Sequence, residues 1–282
     1  SCIGDYMEFY TKETVTEHIL RIRPFFNDAC MYYVMGEERD LLIDTGYGFG
    51  ALKEYVDSLS DHDYDVVLSH GHLDHAGGCG EWDSVYMHPA DIALYQEKGS
   101  IPARKEFLKS FVKDIEKYPE DMFVQMYTHP FKDLQDGMVF DLGGVHVQCI
   151  GAPGHTKGMM VFYVAEDRTI LFGDACGVFT LFILDEATSL EEYVSTLHKL
   201  KSYESEYDRI LRQHGTCESP KELLDEDICI VQSILDRTDD HQPFEFHGTP
   251  CFIARKLNDA GKRADGKEGN VLYVEDKIYR KG

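Results

Sequence analysis

Residues 68–78, LSHGHLDHAGG, place His70, His72, Asp74 and His75 within six positions at the end of an apolar run. Imidazole nitrogens and carboxylate oxygens at this density are either a solvated polar turn or the ligands of a divalent cation. His70 and His72 flank a single glycine, so an extended backbone points both rings the same way, while Asp74 and His75 face a neighbouring point. Gly71, Gly77 and Gly78 suggest a backbone free to bend. One loop cannot close a coordination shell, so more ligands must arrive from elsewhere. Three further candidates stand where an apolar run meets glycine: His155 in APGHTKG, Asp174 in GDA and His214 in RQHG. Five histidines and two aspartates are enough for two divalent ions if one carboxylate bridges.

The elements that must position these groups read as strands and helices in alternation. Apolar runs at 18–26 and 31–35, the turn Gly36-Glu37-Glu38-Arg39 and the run at 40–44 predict strands joined by a hairpin. Helical spacing follows at 51–59, then a short buried strand at 65–69 that ends on the histidine loop. The second half repeats the plan: 159–165, the turn Glu166-Asp167-Arg168, 169–172, helical spacing at 190–202, and a strand at 207–211 that runs out at His214. Matching Tyr207 to Tyr64 leaves the two copies out of step by one residue. Two such units predict an α/β fold of two sheets packed face to face with helices outside. The whole chain, 1–282, reads as one domain, with a helical insertion at about 89–137, whose helical spacing is clearest at 103–117, and a C-terminal extension at about 239–282 that folds back on the core.

Composition narrows the partners. With 51 acidic against 28 basic residues the formal charge is −23, which repels phosphate backbones and anionic lipid over a Debye length. Nucleic acid and membrane are therefore not expected as partners, and a small-molecule substrate is. No apolar run approaches the length of a bilayer span, and the opening SCIGDYMEFY lacks the regions of a signal peptide, so a cytoplasmic protein is expected. The eight cysteines are scattered and read as reduced, buried thiols, with Cys79 and Cys176 of interest because they flank the motifs. Composition leaves the oligomeric state open.

Taken in order, His-x-His-x-Asp-His at 70–75, Gly-His-Thr-x-Gly at 154–158, Gly-Asp at 173–174 and His-Gly at 214–215 resemble the metallo-β-lactamase-fold hydrolases, in the branch of glyoxalase II and the lactonases. The resemblance implies a four-layer αββα sandwich of two mixed sheets with a dinuclear site at their edge. One ion would take His70, His72 and His155, the second Asp74, His75 and His214, and Asp174 would bridge them. It implies two divalent ions, Zn²⁺ in the first place with iron or manganese as alternatives. A hydroxide between the ions would attack a small ester, thioester, lactone or phosphodiester, with Asp74 as the catalytic residue that orients it. Asp174 stands where true β-lactamases generally lack an aspartate. A mononuclear-iron dioxygenase of the same fold is the alternative reading, and a non-catalytic metal-binding module a weaker one. Asp44, in the family-like LIDTG, is either an acceptor that orients a ligand histidine or a turn cap.

Overall fold

The computed structural model describes residues 9–282. Cys2 and most of the opening segment read above for a signal peptide lie outside them. Two compact units divide the chain. The first comprises residues up to 149 with 164–167 and 213–215, and the second 150–163, 168–212 and 216–282.

In the first unit, β1 (Tyr10–Thr14), β2 (Ile19–Pro24), β3 (Met31–Met35), β4 (Asp40–Ile43), β5 (Tyr64–Val67), β6 (Tyr86–Met87) and β7 (Lys132–Asp133) form one seven-stranded sheet in sequence order. The first four strands pair antiparallel and the last four parallel. Strands β3 and β4 are buried along almost their whole length, which suits their aromatic and branched side chains. Their hairpin closes over 36–39 as the sequence predicts. Helix α1 (Leu52–Asp57) makes the crossover from β4 to the parallel β5. Strands β8 (Val139–Asp141) and β9 (His146–Gly151) pair as an antiparallel hairpin.

The histidine loop opens helix α2 (Leu73–Ala76), and the insertion supplies α3 (Ile92–Lys98) and α4 (Ile101–Leu108). Helical spacing over 103–117 overstates that last helix, which stops at Leu108. The chain then turns, with Asp114 at φ +58°, so that Val112 and Ile115 join Leu108, Phe49 and Phe123 in one apolar cluster. Tertiary burial wins over helical spacing here. Arg104 of α4 is fully buried and donates to the carbonyls of Gly99, Tyr47 and Gly48, which ties the insertion to the loop after β4.

The second unit repeats the crossover. Strands β10 (Met160–Val164), β11 (Thr169–Leu171), β12 (Thr180–Phe182), β13 (Arg209–Leu211) and β14 (Glu218–Ser219) accompany α5 (Leu190–Lys201) and α6 (Glu222–Leu235). The order β14-β13-β11-β10 puts β11 beside the parallel β13, with α5 between them in sequence. A capping box of Ser189 and Glu192 starts α5. The extension does fold back: β15 (Gln242–Phe246) and β16 (Thr249–Ile253) make a hairpin, and β17 (Val271–Tyr273) lies between β16 and β12.

Strand register removes the one-residue slip between the copies. Ile43 pairs with Val67 and Leu171 with Leu211, so His70 and His214 each stand three residues beyond an equivalent strand end. Among the described residues no helix is long and apolar enough to cross a membrane. All seven described cysteines are free, and all but Cys229 are buried.

Candidate metal centre

Asp44 is the hub of the first unit's cluster. It follows β4 at φ +69°, a left-handed conformation that costs a non-glycine residue on the order of 1 kcal/mol and that aspartate tolerates better than most. Its fully buried carboxylate accepts from the Ser69 amide at 2.6 Å, the Ser69 hydroxyl at 2.6 Å, the Gln213 side-chain amide at 2.7 Å and His75 Nδ1 at 3.0 Å. These bonds make Asp44 an acceptor that holds a histidine thirty-one positions away, which a turn cap would not reach.

Four histidines present the same nitrogen outward. The Ser69 hydroxyl spends its single proton on Asp44, so at 2.9 Å it accepts from His70 Nδ1. His75 Nδ1 donates to Asp44. His214 Nδ1 donates to Asp28 at 3.0 Å. In the second unit His155 Nδ1 donates to the Leu181 carbonyl at 3.1 Å. Each bond fixes the Nδ1–H tautomer and leaves Nε2 as the lone-pair nitrogen. Asp28 and Gln213 carry no motif in the sequence. Asp28 sits between Asn27 and Ala29, both at φ +56°, so its loop is bent to deliver the carboxylate, and only the register of β2 and β3 reveals that.

The lone pairs converge. His75 Nε2 and His214 Nε2 lie 3.1 Å apart. An Asp74 carboxylate oxygen is 3.3 Å from the first and 3.4 Å from the second. Ligand atoms of Asp74, His75 and His214 all fall within 4.8 Å of one another, as do those of His70 and His72, whose ring centroids are 4.9 Å apart. In the second unit His155 Nε2 stands 3.6 Å from an Asp174 carboxylate oxygen. Two imidazole lone pairs and a carboxylate oxygen at such separations repel unless a proton or a cation lies among them, and a divalent ion fits this nitrogen and oxygen donor set. The donors can therefore hold divalent metal ions.

The glycines of the loop act differently from expectation. None of Gly71, Gly77 or Gly78 adopts positive φ. They are there for close approach: a Cβ on Gly71 would sit 2.7 Å from the Asp91 carbonyl oxygen, and the Gly71 amide donates to the Asp91 carboxylate at 2.9 Å. His72 serves as N-cap of α2, which carries Asp74 in its first turn.

The flanking cysteines take no part as nucleophiles. Burial pushes the Cys79 thiol up to about 12, and burial together with the neighbouring Asp227 carboxyl pushes Cys176 well above the usual thiol range. Neither is a thiolate at neutral pH. His88 caps its own short turn through the Ala90 amide, and the buried Tyr127 donates to main-chain carbonyls, so both are structural.

A sequence model of the metallo-beta-lactamase superfamily matches residues 26–214. The chain belongs to that superfamily. The expected hydrolytic enzyme and the α/β metallo-β-lactamase fold stand with this membership. Among relatives, the acyl-coenzyme A thioesterase MBLAC2 of Homo sapiens is 28% identical over 216 residues, which cover 69% of this chain and 76% of the relative. An atrochrysone carboxyl ACP thioesterase of Aspergillus fumigatus is 30% identical over 179 residues, 60% of this chain and 46% of the relative. Of solved structures, a metallo-beta-lactamase from Pontibacter korlensis superposes with a TM-score of 0.57 at 15% identity, covering 79% of this chain and 99% of that one. That likeness is one of fold.

Proposed function

We propose that this superfamily member hydrolyses acyl thioesters of the acyl-coenzyme A class, using two divalent ions, Zn²⁺ in the first place. His70, His72 and His155 would hold one ion, and Asp74, His75 and His214 the other, with Asp174 shared. The observation that carries the metal reading is the 3.1 Å approach of two Nε2 atoms whose partner nitrogens are both committed as donors. Support for the thioester comes from the names of two relatives, one acting on acyl-coenzyme A and one on an acyl carrier protein.

When bound, two divalent cations acidify a water toward neutral pKa and polarise an acyl oxygen. The chain's own residues supply the rest. Asp44 and Asp28 keep the imidazoles in one tautomer and orientation, so no reorganisation is needed at the moment of reaction. Asp74, within 3.4 Å of two imidazoles, orients the attacking water and accepts its hydrogen bond. Raised thiol pKa values at Cys79 and Cys176 keep these two thiols from forming an acyl-enzyme, and a metal-activated water requires no protein nucleophile.

Zinc-loaded protein should release free thiol from acetyl-CoA, lose that activity in a chelator and regain it with added Zn²⁺. Absence of thiol release from any acyl-CoA at any metal loading would reject the thioesterase reading. The charge of −23 repels the phosphates of coenzyme A, so kcat/KM should rise as salt approaches about 0.15 M, whereas a neutral N-acetylcysteamine thioester should show no such rise.

A further inference from the structure

Helix α4 and the turn after it, both in the insertion, carry Phe107 and Phe111 one helical turn apart. The loop after β2 carries Phe25 and Phe26. Three of these rings surround Tyr47, whose ring centroid is 5.5 Å from Phe26, 6.3 Å from Phe107 and 6.1 Å from Phe111. Phe25 packs on Phe26 at 5.2 Å, and Phe26 faces Phe111 at 6.4 Å. Tyr47 is buried beneath them at 3% exposure, yet Phe25 keeps 43% of its surface exposed and Phe111 38%. Scattered single rings on a surface need no explanation, but contiguous exposed aromatics mark a place where something apolar binds.

This patch connects directly to the candidate metal centre. The Tyr47 hydroxyl donates to Asp28 at 2.9 Å, and the other oxygen of Asp28 accepts from His214 Nδ1 at 3.0 Å. The ring that floors the patch is thus two hydrogen bonds from a metal-binding candidate. An apolar group attached to the reacting carbonyl would lie over the patch that Tyr47 floors, with its far end against the exposed rings of Phe25 and Phe111.

We propose that Phe25, Phe26, Phe107 and Phe111, over Tyr47, form an acyl subsite that takes a flexible aliphatic chain on the substrate. The proposal rests on the thioesterase reading for its substrate and adds the nature of the acyl group. The choice of an aliphatic chain follows from ring geometry. The interplanar angles are 86° for Phe25 with Phe26, 66° for Phe26 with Tyr47, 34° for Phe26 with Phe111 and 33° for Tyr47 with Phe107. Rings so tilted offer no parallel slot for a planar acyl group, while methylenes pack against faces and edges alike. An anionic lipid surface is a poor occupant for a chain of charge −23.

The test compares decanoyl-CoA with acetyl-CoA and measures decanoate binding by calorimetry, in wild type, Phe111→Ser and Phe111→Leu. Each buried methylene favours the longer substrate about fourfold until the patch is filled, so wild type should prefer decanoyl-CoA by about 100-fold in kcat/KM. Phe111→Ser should cut that ratio at least about tenfold and weaken decanoate binding to match, and Phe111→Leu should restore both. A ratio that does not change would overturn the proposal, as would Phe111→Ser altering only the oligomeric state, which would assign the rings to self-association. Decanoate binding keeps the two readings apart. If no CoA ester is cleaved but decanoate binds wild type and not Phe111→Ser, the subsite stands without thioesterase activity. Equal binding by both proteins removes the subsite even if thioesters are cleaved.

Discussion

Residues 31–75 and 160–215 each run through a hairpin, a helix and a parallel strand, and each final strand ends three residues before a histidine. The first copy continues past His70 into His72, Asp74 and His75, whereas the second stops at His214. The Asp44 amide bonds the Val67 carbonyl at 2.9 Å, and at the equivalent place the Phe172 amide bonds the Leu211 carbonyl at 2.9 Å. One copy puts a carboxylate there and uses it to hold histidines. The other puts a buried phenylalanine there, and its carboxylate, Asp174, comes two residues later beside His155. The residues just before the two histidines, Ser69 and Gln213, both donate to Asp44. A duplicated backbone thus supplies equivalent strand ends, and the chemistry assigned to each end is set by single substitutions at matching positions.

Removing the equivalent histidines tests this division most severely. His70→Ala and His214→Ala should each lower turnover by about a thousandfold or more, because each would delete a proposed ligand of a cation that supplies several kcal/mol of charge stabilisation. Metal analysis should show each variant losing one ion. Loss of both ions from either variant would mean that His70 and His214 do not belong to separate ions.

The supporting carboxylates should give smaller, graded effects. Asp44→Asn disturbs His75 and, through Ser69, His70, so it should weaken both steps of a zinc titration by about 10- to 100-fold. Of the four histidines, Asp28 holds only His214, so Asp28→Asn should weaken one step. Equal effects of the two variants would erase the contrast between a shared and a private acceptor.

The helices of the two copies differ in how they start, and the difference is one of pH. Helix α5 has its capping box, and Ser189→Ala should cost about 1 kcal/mol at any pH, read by denaturant unfolding. Helix α1, with Ala51 as its N-cap, has no side-chain cap of its own, and the Lys53 amide instead donates to Glu81 at 3.0 Å, from the turn after α2. Burial pushes the Glu81 carboxyl up to about 7, so the folded protein binds its proton more tightly than the unfolded chain does. That contribution is complete below about 4.5 and is lost as pH rises through about 7. Glu81→Gln should therefore match wild type near pH 4 and unfold at higher temperature above pH 8. A constant difference across that range would remove Glu81 from the account.

Much of this was legible in the residues. Strand ends announce themselves because a buried parallel strand must be apolar and must stop where glycine and polar groups begin, which marks His70, Asp174 and His214, while His155 follows the apolar end of the antiparallel β9. The hairpins and both crossover helices followed from spacing, and the returning tail from the marginal stability of an isolated hairpin. Asp28 was not legible, because its role depends on a loop bent through two left-handed residues beside a strand pairing that no local pattern encodes. The end of α4 was missed because apolar spacing continues to Ile115 although the chain has already turned. The loop glycines were identified correctly but for the wrong reason, since close approach is a property of the neighbour as much as of the glycine.

The central claim is that strand ends from both copies hold a pair of divalent ions through imidazole Nε2 atoms. Its most direct test is the zinc content, by elemental mass spectrometry, of wild type and His214→Ala purified without added metal and then titrated. The account predicts two ions per wild-type chain and one in the variant. Two ions retained in the variant, or none in either protein, would contradict it.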